Sequence, residues 1–242
     1  TYFAADIGYH RRKLREGHSR IIDIWGADHH GYVPRLRAAL RGLGEDDRRL
    51  TVLLVQFVTL VRDGKAVQMS TRSGEFTTLR EVLDEVGPDA ARFFYLLRSY
   101  HTHLEFDLTL AKTQSRNNPV YYIQMAHARM SGIFRVGGIA PESITGEGVD
   151  FSTLSEESER NLAAALLDFP RLVSSAGEAR EPQRMAAYLH DTARLAHNWY
   201  HKLRVLEAPE GVREARLTLA RATQIVLRNG LTILGISAPE RM

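Results

Sequence analysis

The chain has no cysteine, no internal repeat, no apolar run near the ~18 residues that a membrane-spanning helix needs, and a net charge of only +3 over 242 residues. Without cysteine there are neither disulfides nor thiolate metal sites, so a small secreted scaffold is excluded. The low net charge does not require a nucleic-acid partner. It permits one, because 10 histidines and an arginine-heavy set of cations leave room for local basic patches. With 44% hydrophobic and 25% charged residues the chain can bury a real core, as one large domain or two modest ones. A cytoplasmic, monomeric protein away from any membrane is expected. The missing signal segment adds little to this, since Thr1 is not a natural start.

The most informative stretch lies near the middle, where residues 117–130 read NNPVYYIQMAHARM. Asn118-Pro119 supplies a cap with proline in the first turn, and no further glycine or proline interrupts the stretch, so a helix is predicted to begin here. Val120, Ile123, His127 and Met130 form one stripe for a core, while Tyr122, Met125 and Arg129 form a neighbouring one. Flat and polarizable groups followed by a guanidinium suit unpaired bases and a phosphate. A helix buried on two sides would show the same spacing.

Three other places could carry chemistry. Tyr2 and Asp6 stand one helical turn apart, and a carboxylate beside an aromatic ring suits a guanidinium ligand; a helix cap or a surface pair is the plainer reading. SRIIDIW at 19–25 reads as a strand running into a turn at Gly26 and then a helix. That β-α unit puts Asp28, His29 and His30 at a strand's carboxyl end, where ligands gather in such folds. A metal there is not expected, because adjacent side chains diverge and no distant third ligand is evident. Leu50 to Val61 reads as one apolar parallel strand buried on both faces. The Asp63-Gly64 turn follows and delivers a loop, QMSTRSG at 68–74, whose hydroxyls and cation could follow a triphosphate, or be a plain polar loop.

Downstream, a helix is predicted to start at a threonine cap near Thr78 and to break at Gly87-Pro88. A second one follows with Phe93, Leu96, Leu97 and Tyr100 as its core face, the pair connecting the two halves. After Arg135 a Gly-, Ser- and Glu-rich run to about residue 158 reads as an exposed, mobile linker. Three helices then follow, at about 155–175, 181–205 and 211–234, with spacers at Gly177 and Pro209. Leu189, Ala193, Ala196, Tyr200 and Leu203 make a core stripe on the second, and Leu219, Ala222, Val226 and Ile233 on the third. The expected fold is α/β, the second half of a Rossmann-like nucleotide-binding domain over 1–115, followed by an all-α helix bundle over 116–242.

NPVYYIQMAHAR resembles the first helix of the anticodon-binding domain of bacterial arginyl-tRNA synthetases, and GPDAARFF at 87–94 resembles the approach to it. The resemblance to this class I family runs from TYFAAD to SAPERM. It implies ATP-dependent activation of arginine and its transfer to tRNA(Arg), with magnesium serving the phosphates and no protein-bound metal. It implies that Tyr2 and Asp6 hold the arginine side chain and that GADHHG, with Asp28, His29 and His30, lines the adenosine and arginine pocket. Met69, Ser70, Thr71 and Arg72 look like a degenerate copy of the second signature, usually Lys-Met-Ser-Lys-Ser. Both lysines are replaced, by Gln68 and Thr71, so Arg72 or a group elsewhere must supply the charge. Tyr122, Met125, Arg129, Tyr200 and the terminal Met242 would read the anticodon. The family's first signature, His-x-Gly-His, occurs nowhere in the chain, so these residues alone are expected to be incomplete for catalysis. Two readings from other classes stay open: a non-catalytic RNA-binding module and a helical interaction scaffold. A cysteinyl or other related synthetase fits less well, given the Tyr2 and Asp6 pair and the absence of cysteine ligands.

Overall fold

The computed structural model describes residues 2–67 and 77–242. The chain divides into two compact units, one of Thr1–Thr59 with Tyr100–Glu105 and one of Leu60–Ser99 with Phe106–Met242.

In the first unit, α1 (Tyr2–Arg15) precedes β1 (Ile21–Gly26), a 3-10 turn (Ala27–Tyr32) and α2 (Val33–Gly42), and β2 (Leu50–Val55) lies parallel to β1 with Ile21 opposite Leu50. This is the expected β-α-β unit. Its core is Leu14, Ile21, Leu36, Leu40 and Leu50, with Phe3, Ile7, Trp25 and Val52 against it.

The apolar run 50–61 is not one strand buried on both faces. It is two strands, β2 and β3 (Val58–Arg62), because the hydrogen-bonding partner changes at Gln56 and Phe57. The Gln56 N–H donates to the Tyr100 carbonyl, and the Phe57 carbonyl accepts from Leu104. Only Leu50 of β2 is fully buried, and Ile24 of β1 is 69% exposed. A small sheet in the order β4-β3-β5, with β4 (Lys65–Ala66) antiparallel to β3 and β5 at Leu104–Asp107, follows.

In the second unit, α3 (Leu79–Val86) starts at a Thr78 and Glu81 capping box, and Gly87, at φ 81°, ends it before α4 (Pro88–Leu96). The buried face of α4 is Ala90, Ala91, Phe93 and Phe94. Leu97 is exposed and Tyr100 lies beyond the helix, since α4 stops at Leu96 and its buried stripe does not run on to them. The short α5 (Leu108–Lys112) leads to α6 (Pro119–Gly137).

The run after Arg135 is not a free linker. It forms 3-10 turns at Pro141–Ser143 and Phe151–Thr153, the Glu142 carboxylate lies 3.7 Å from Arg221, and a Cβ on Gly146 would meet Thr218 at 3.1 Å. Both partners belong to α10 (Val212–Ile233).

The predicted helix over 155–175 is two helices, α7 (Glu157–Leu167) and α8 (Phe169–Ala179). Pro170 has no N–H to continue α7, so the chain restarts at Asp168, and Gly177 sits inside α8 rather than in a spacer. On α9 (Gln183–Lys202), Leu189, Ala193 and Ala196 are buried as expected, while Tyr200 is 39% exposed. On α10 the buried face is Ala220, Thr223, Gln224, Leu227, Gly230 and Leu231. Of the predicted stripe only Leu219 is fully buried, and Ile233 faces outward. The polar members are satisfied: Thr223 donates to the Leu219 carbonyl, and Gln224 donates to Ser131 on α6 at 2.8 Å.

Gly230 sets the spacing of α9 and α10, because a Cβ there would lie 2.5 Å from Cδ2 of the fully buried Leu189. Gly230→Ala gains about 1 kcal/mol of helix propensity but overpacks a core that cannot yield, at a cost of about 1 to 3 kcal/mol. A net loss of stability is expected by chemical denaturation, and the same glycine substitution should cost much less when measured against a Leu189→Ala parent, itself destabilised by the truncation.

Candidate nucleic-acid interface

In the first unit Tyr2 is 97% exposed on the opening turn of α1, with Asp6 half-buried one turn on. His10, a further turn along, is buried. Its Nε2 lies 2.6 Å from the Asp23 carboxylate on β1, and its Nδ1 lies 2.8 Å from the Asp6 carbonyl. Both partners accept, so both ring nitrogens carry protons, and the bond to Asp23 raises the His10 pKa above its usual value against the opposing effect of burial. This charged link fixes α1, and with it Asp6, to the strand. Phe3 meets Tyr32 edge-on at 5.1 Å, which brings the same opening turn beside the 3-10 turn of Asp28, His29 and His30.

Those three are exposed at the carboxyl end of β1. Asp28 lies 3.7 Å from His29, and His30 reaches the Ala27 carbonyl at 3.1 Å. A Cβ on Gly26 would clash only with Oδ1 of Asp28, the end of an exposed side chain that can turn aside. Among the described residues, no three His, Asp or Glu side chains are placed to hold a metal ion. Met69, Ser70, Thr71 and Arg72 fall outside the described residues.

The second unit builds a clearer site on α6. Asn118 caps it, accepting from the Val120 N–H while its amide donates to the Ala111 and Thr113 carbonyls at 3.0 and 2.9 Å. Val120, Ile123, His127 and Met130 are buried, as their spacing predicts. Gln124 and Ser131 are buried as well, so α6 is packed on more than one side. Tyr122, Met125 and Arg129 remain half-buried on a separate stripe.

That stripe meets histidines of α9 which the sequence reading did not single out. The Tyr122 ring lies 4.4 Å from the ring of His197 and 5.4 Å from that of His190, so imidazoles flank it. The His197 Nε2–H donates to the Tyr122 carbonyl at 3.0 Å, which leaves Nδ1 to accept from the Arg129 guanidinium at 2.8 Å. Burial pushes the His197 pKa down to about 4, with Arg129, His201 and Arg116 adding repulsion, so the ring is neutral at neutral pH. Arg129 also reaches His201 at 3.3 Å and lies 5.6 Å from the centre of the Tyr200 ring.

The carboxyl-terminal tail completes the site. Gln124 donates to the Ser237 carbonyl at 3.0 Å, His127 to Pro239 at 2.9 Å and Arg135 to Glu240 at 3.2 Å, which lays the tail along α6. Met242 thereby enters a cavity of about 590 Å³ shared with Met125, Arg129, Tyr200, Leu206 and Arg241. A second cavity of about 250 Å³ shares Met125 and Arg129 and adds Tyr122, Arg116, Arg194 and His201. Four of the five anticodon candidates therefore line one cavity, and Tyr122 lines its neighbour. A thioether, a phenol ring and a guanidinium around one opening can take a flat heterocycle with a phosphate beside it.

Residues 123–242 match the DALR anticodon binding domain. Over its whole length the chain is 51% identical to the arginine–tRNA ligase of Thioalkalivibrio sulfidiphilus and 52% identical to that of an Azoarcus species, spanning 42% and 41% of those proteins. Among solved structures it superimposes on one assigned to arginyl-tRNA synthetase of Campylobacter jejuni with a TM-score of 0.92 at 35% identity, covering all of this chain and 52% of that one. Thermus thermophilus arginyl-tRNA synthetase gives 0.79 at 25% identity, with all of this chain and 49% of the other covered. The chain belongs to the class I arginyl-tRNA synthetase family. It spans about two fifths of the length of the curated relatives it matches. Its α/β portion followed by a helical domain is the arrangement of the family's structures.

The depressed pKa of His197 carries a stability signature. Its folded value, about 4, lies below the ordinary 6.5, so the unfolded chain binds the proton first. Stability is therefore full above pH 6.5 and declines as the pH falls towards 4, and buried His127, also lowered by burial, adds in the same direction. Melting temperatures measured across this range should fall less steeply for His197→Gln than for the parent chain.

Proposed function

We propose that this chain is the portion of an arginine–tRNA ligase that contributes the carboxyl half of the catalytic domain over 1–115 and the anticodon-reading domain over 116–242. The observation that carries the reading is the convergence of Met125, Arg129, Tyr200 and Met242, from three separate parts of the sequence, on one cavity. The family match over 123–242 and the identity to arginine–tRNA ligases support it.

The complete enzyme activates arginine with ATP and transfers it to tRNA(Arg). Asp6 and Tyr2 take the guanidinium of the substrate, Asp6 by charge and Tyr2 by its exposed ring. Asp28, His29 and His30 line the adenosine and arginine pocket. Met69, Ser70, Thr71 and Arg72 follow the phosphates. Magnesium enters with the triphosphate, as this ion is commonly bound through substrate phosphates.

The second reading, an RNA-binding module without catalysis, would be favoured by the absence of a His-x-Gly-His segment only if these residues were the whole protein. The two part on one assay. In the complete enzyme, arginine-dependent exchange of pyrophosphate into ATP should occur, and Asp6→Ala should weaken arginine selection by about 2 to 5 kcal/mol, the cost of removing one partner of a desolvated charge pair. Unchanged arginine kinetics would refute the role of Asp6. Arg72→Ala should lower the activation rate more than it weakens ATP binding, because a group acting on migrating charge contributes mainly in the transition state.

For the anticodon site, Tyr200→Ala and deletion of Met242 should each weaken tRNA binding, by about 1 to 3 kcal/mol where a base loses its stacking partner. The melting temperature should move less than the affinity, since neither residue belongs to the core, Tyr200 being 39% and Met242 50% exposed. Tyr122→Ala should lower both affinity and melting temperature, because its ring already packs on two imidazoles. Normal affinity in all three variants would end the anticodon reading of these residues.

A further inference from the structure

A half-buried guanidinium ordinarily sits against a carboxylate, because an unpaired charge taken out of water is costly. Arg129 does not. Its contacts are two imidazoles and a phenol ring, and among the described residues no carboxylate lies within ion-pair distance of it. Arg116, exposed at the mouth of the same cavity, has no ion pair among the described residues either, and Arg194 has only the exposed Asp191 at 3.7 Å. Asn198 adds an uncharged donor. The cavity thus gathers three guanidinium groups from the approach to α6, α6 itself and α9, and only a solvated carboxylate opposes them.

What fills it is constrained by its neighbours. A base cannot use the Tyr122 ring as a free platform, because His190 and His197 flank it. The adjoining larger cavity has Tyr200, Met125 and Met242 for a flat apolar ligand, and the two share the wall made by Met125 and Arg129. Guanidinium forks match phosphate oxygens in geometry as well as charge. We propose that the cavity of Arg116, Arg129 and Arg194 between α6 and α9 is a phosphodiester subsite, taking the backbone phosphate next to the nucleotide whose base enters the adjoining cavity. The inference rests on the RNA-binding reading above and adds to it a place for charge separate from the place for the base.

The two cavities should differ in their response to salt. Neutralising one phosphate of a single strand contributes about 0.7 to the slope of log affinity against log salt concentration. Binding of the full chain to the anticodon stem-loop RNA of an arginine tRNA is measured by fluorescence anisotropy over a series of KCl concentrations. The double variant Arg116→Gln/Arg194→Gln should lose about 0.7 from that slope, with a deficit that shrinks as salt rises. Tyr200→Ala should lose affinity at every salt concentration with the slope intact. Lysine at both arginine positions should restore the slope, which separates charge from folding. A single methylphosphonate linkage beside the recognised base should reproduce the loss in the parent chain and add nothing in the glutamine variant. An unchanged slope in the glutamine variant, or an additive methylphosphonate effect, overturns the subsite while leaving RNA binding intact. Failure of the parent chain to bind the stem-loop at all overturns the RNA reading and the subsite with it.

Discussion

The second unit depends on the Asp89 carboxylate. Asp89 lies in the first turn of α4, where a negative charge is favoured, and its oxygens accept from the Gln124 amide of α6 at 2.9 Å and from the backbone and hydroxyl of Ser237. One side chain therefore joins a helix start, the central helix and the tail. Chain ends fray unless something holds them. Here the hold is polar and sequential: Arg92 takes the Gly235 carbonyl at 2.6 Å, Asp89 takes Ser237, His127 takes Pro239 and Arg135 takes Glu240. Each bond shortens the free length that remains, until Met242 stands at the cavity. The position of the last side chain thus follows from an acid in α4 and these backbone contacts, together with the burial of Ile236 at the start of the tail.

His197 does for charge what Asp89 does for position. Its tautomer is fixed by the Tyr122 carbonyl, so its other nitrogen must accept, and the donor at hand is Arg129. A neutral acceptor orients a guanidinium without cancelling it. A carboxylate in the same place would orient Arg129 equally well and leave nothing for a phosphate to gain. The buried pair elsewhere in the bundle shows the contrast: Arg216 lies 2.7 Å from the fully buried Glu159, which also caps α7, and that charge is spent on holding helices together. Stabilisation of the fold and availability for a ligand are separated by the choice of histidine or glutamate as partner.

Much of this was legible because it is local. Asn118-Pro119, Thr78 with Glu81, and Gly87 announce helix ends through chemistry contained in three or four residues, and the helices obey them. The stripe of Tyr122, Met125 and Arg129 was legible from spacing alone. Its partners were not, because His197 and His201 lie 68 and 72 residues from Arg129, and no local pattern marks a histidine that will face a distant helix. The core face of α10 was misread for a related reason. Thr223, Gln224 and Gly230 look like a solvent face, but two of them are buried with hydrogen-bond partners and the third is buried to admit Leu189. The break at Asp168 was missed because Pro170 falls where a helix start tolerates proline as readily as a helix interior rejects it.

The first unit presents the opposite problem, an apolar strand with too little to cover it. Ile22 and Ile24 of β1 are 46% and 69% exposed and Phe57 is 63% exposed, although the β1-β2 pair is of the parallel kind that is normally buried on both faces. A sequence reading that places 50–61 inside a sheet covered on both sides is physically sound, and the described residues supply only one cover, the α1 and α2 layer. The relatives are more than twice as long as this chain. A parallel pair covered on one face leaves Ile22 and Ile24 in water, at a cost of about 25 cal/mol for each Å² of apolar surface left exposed.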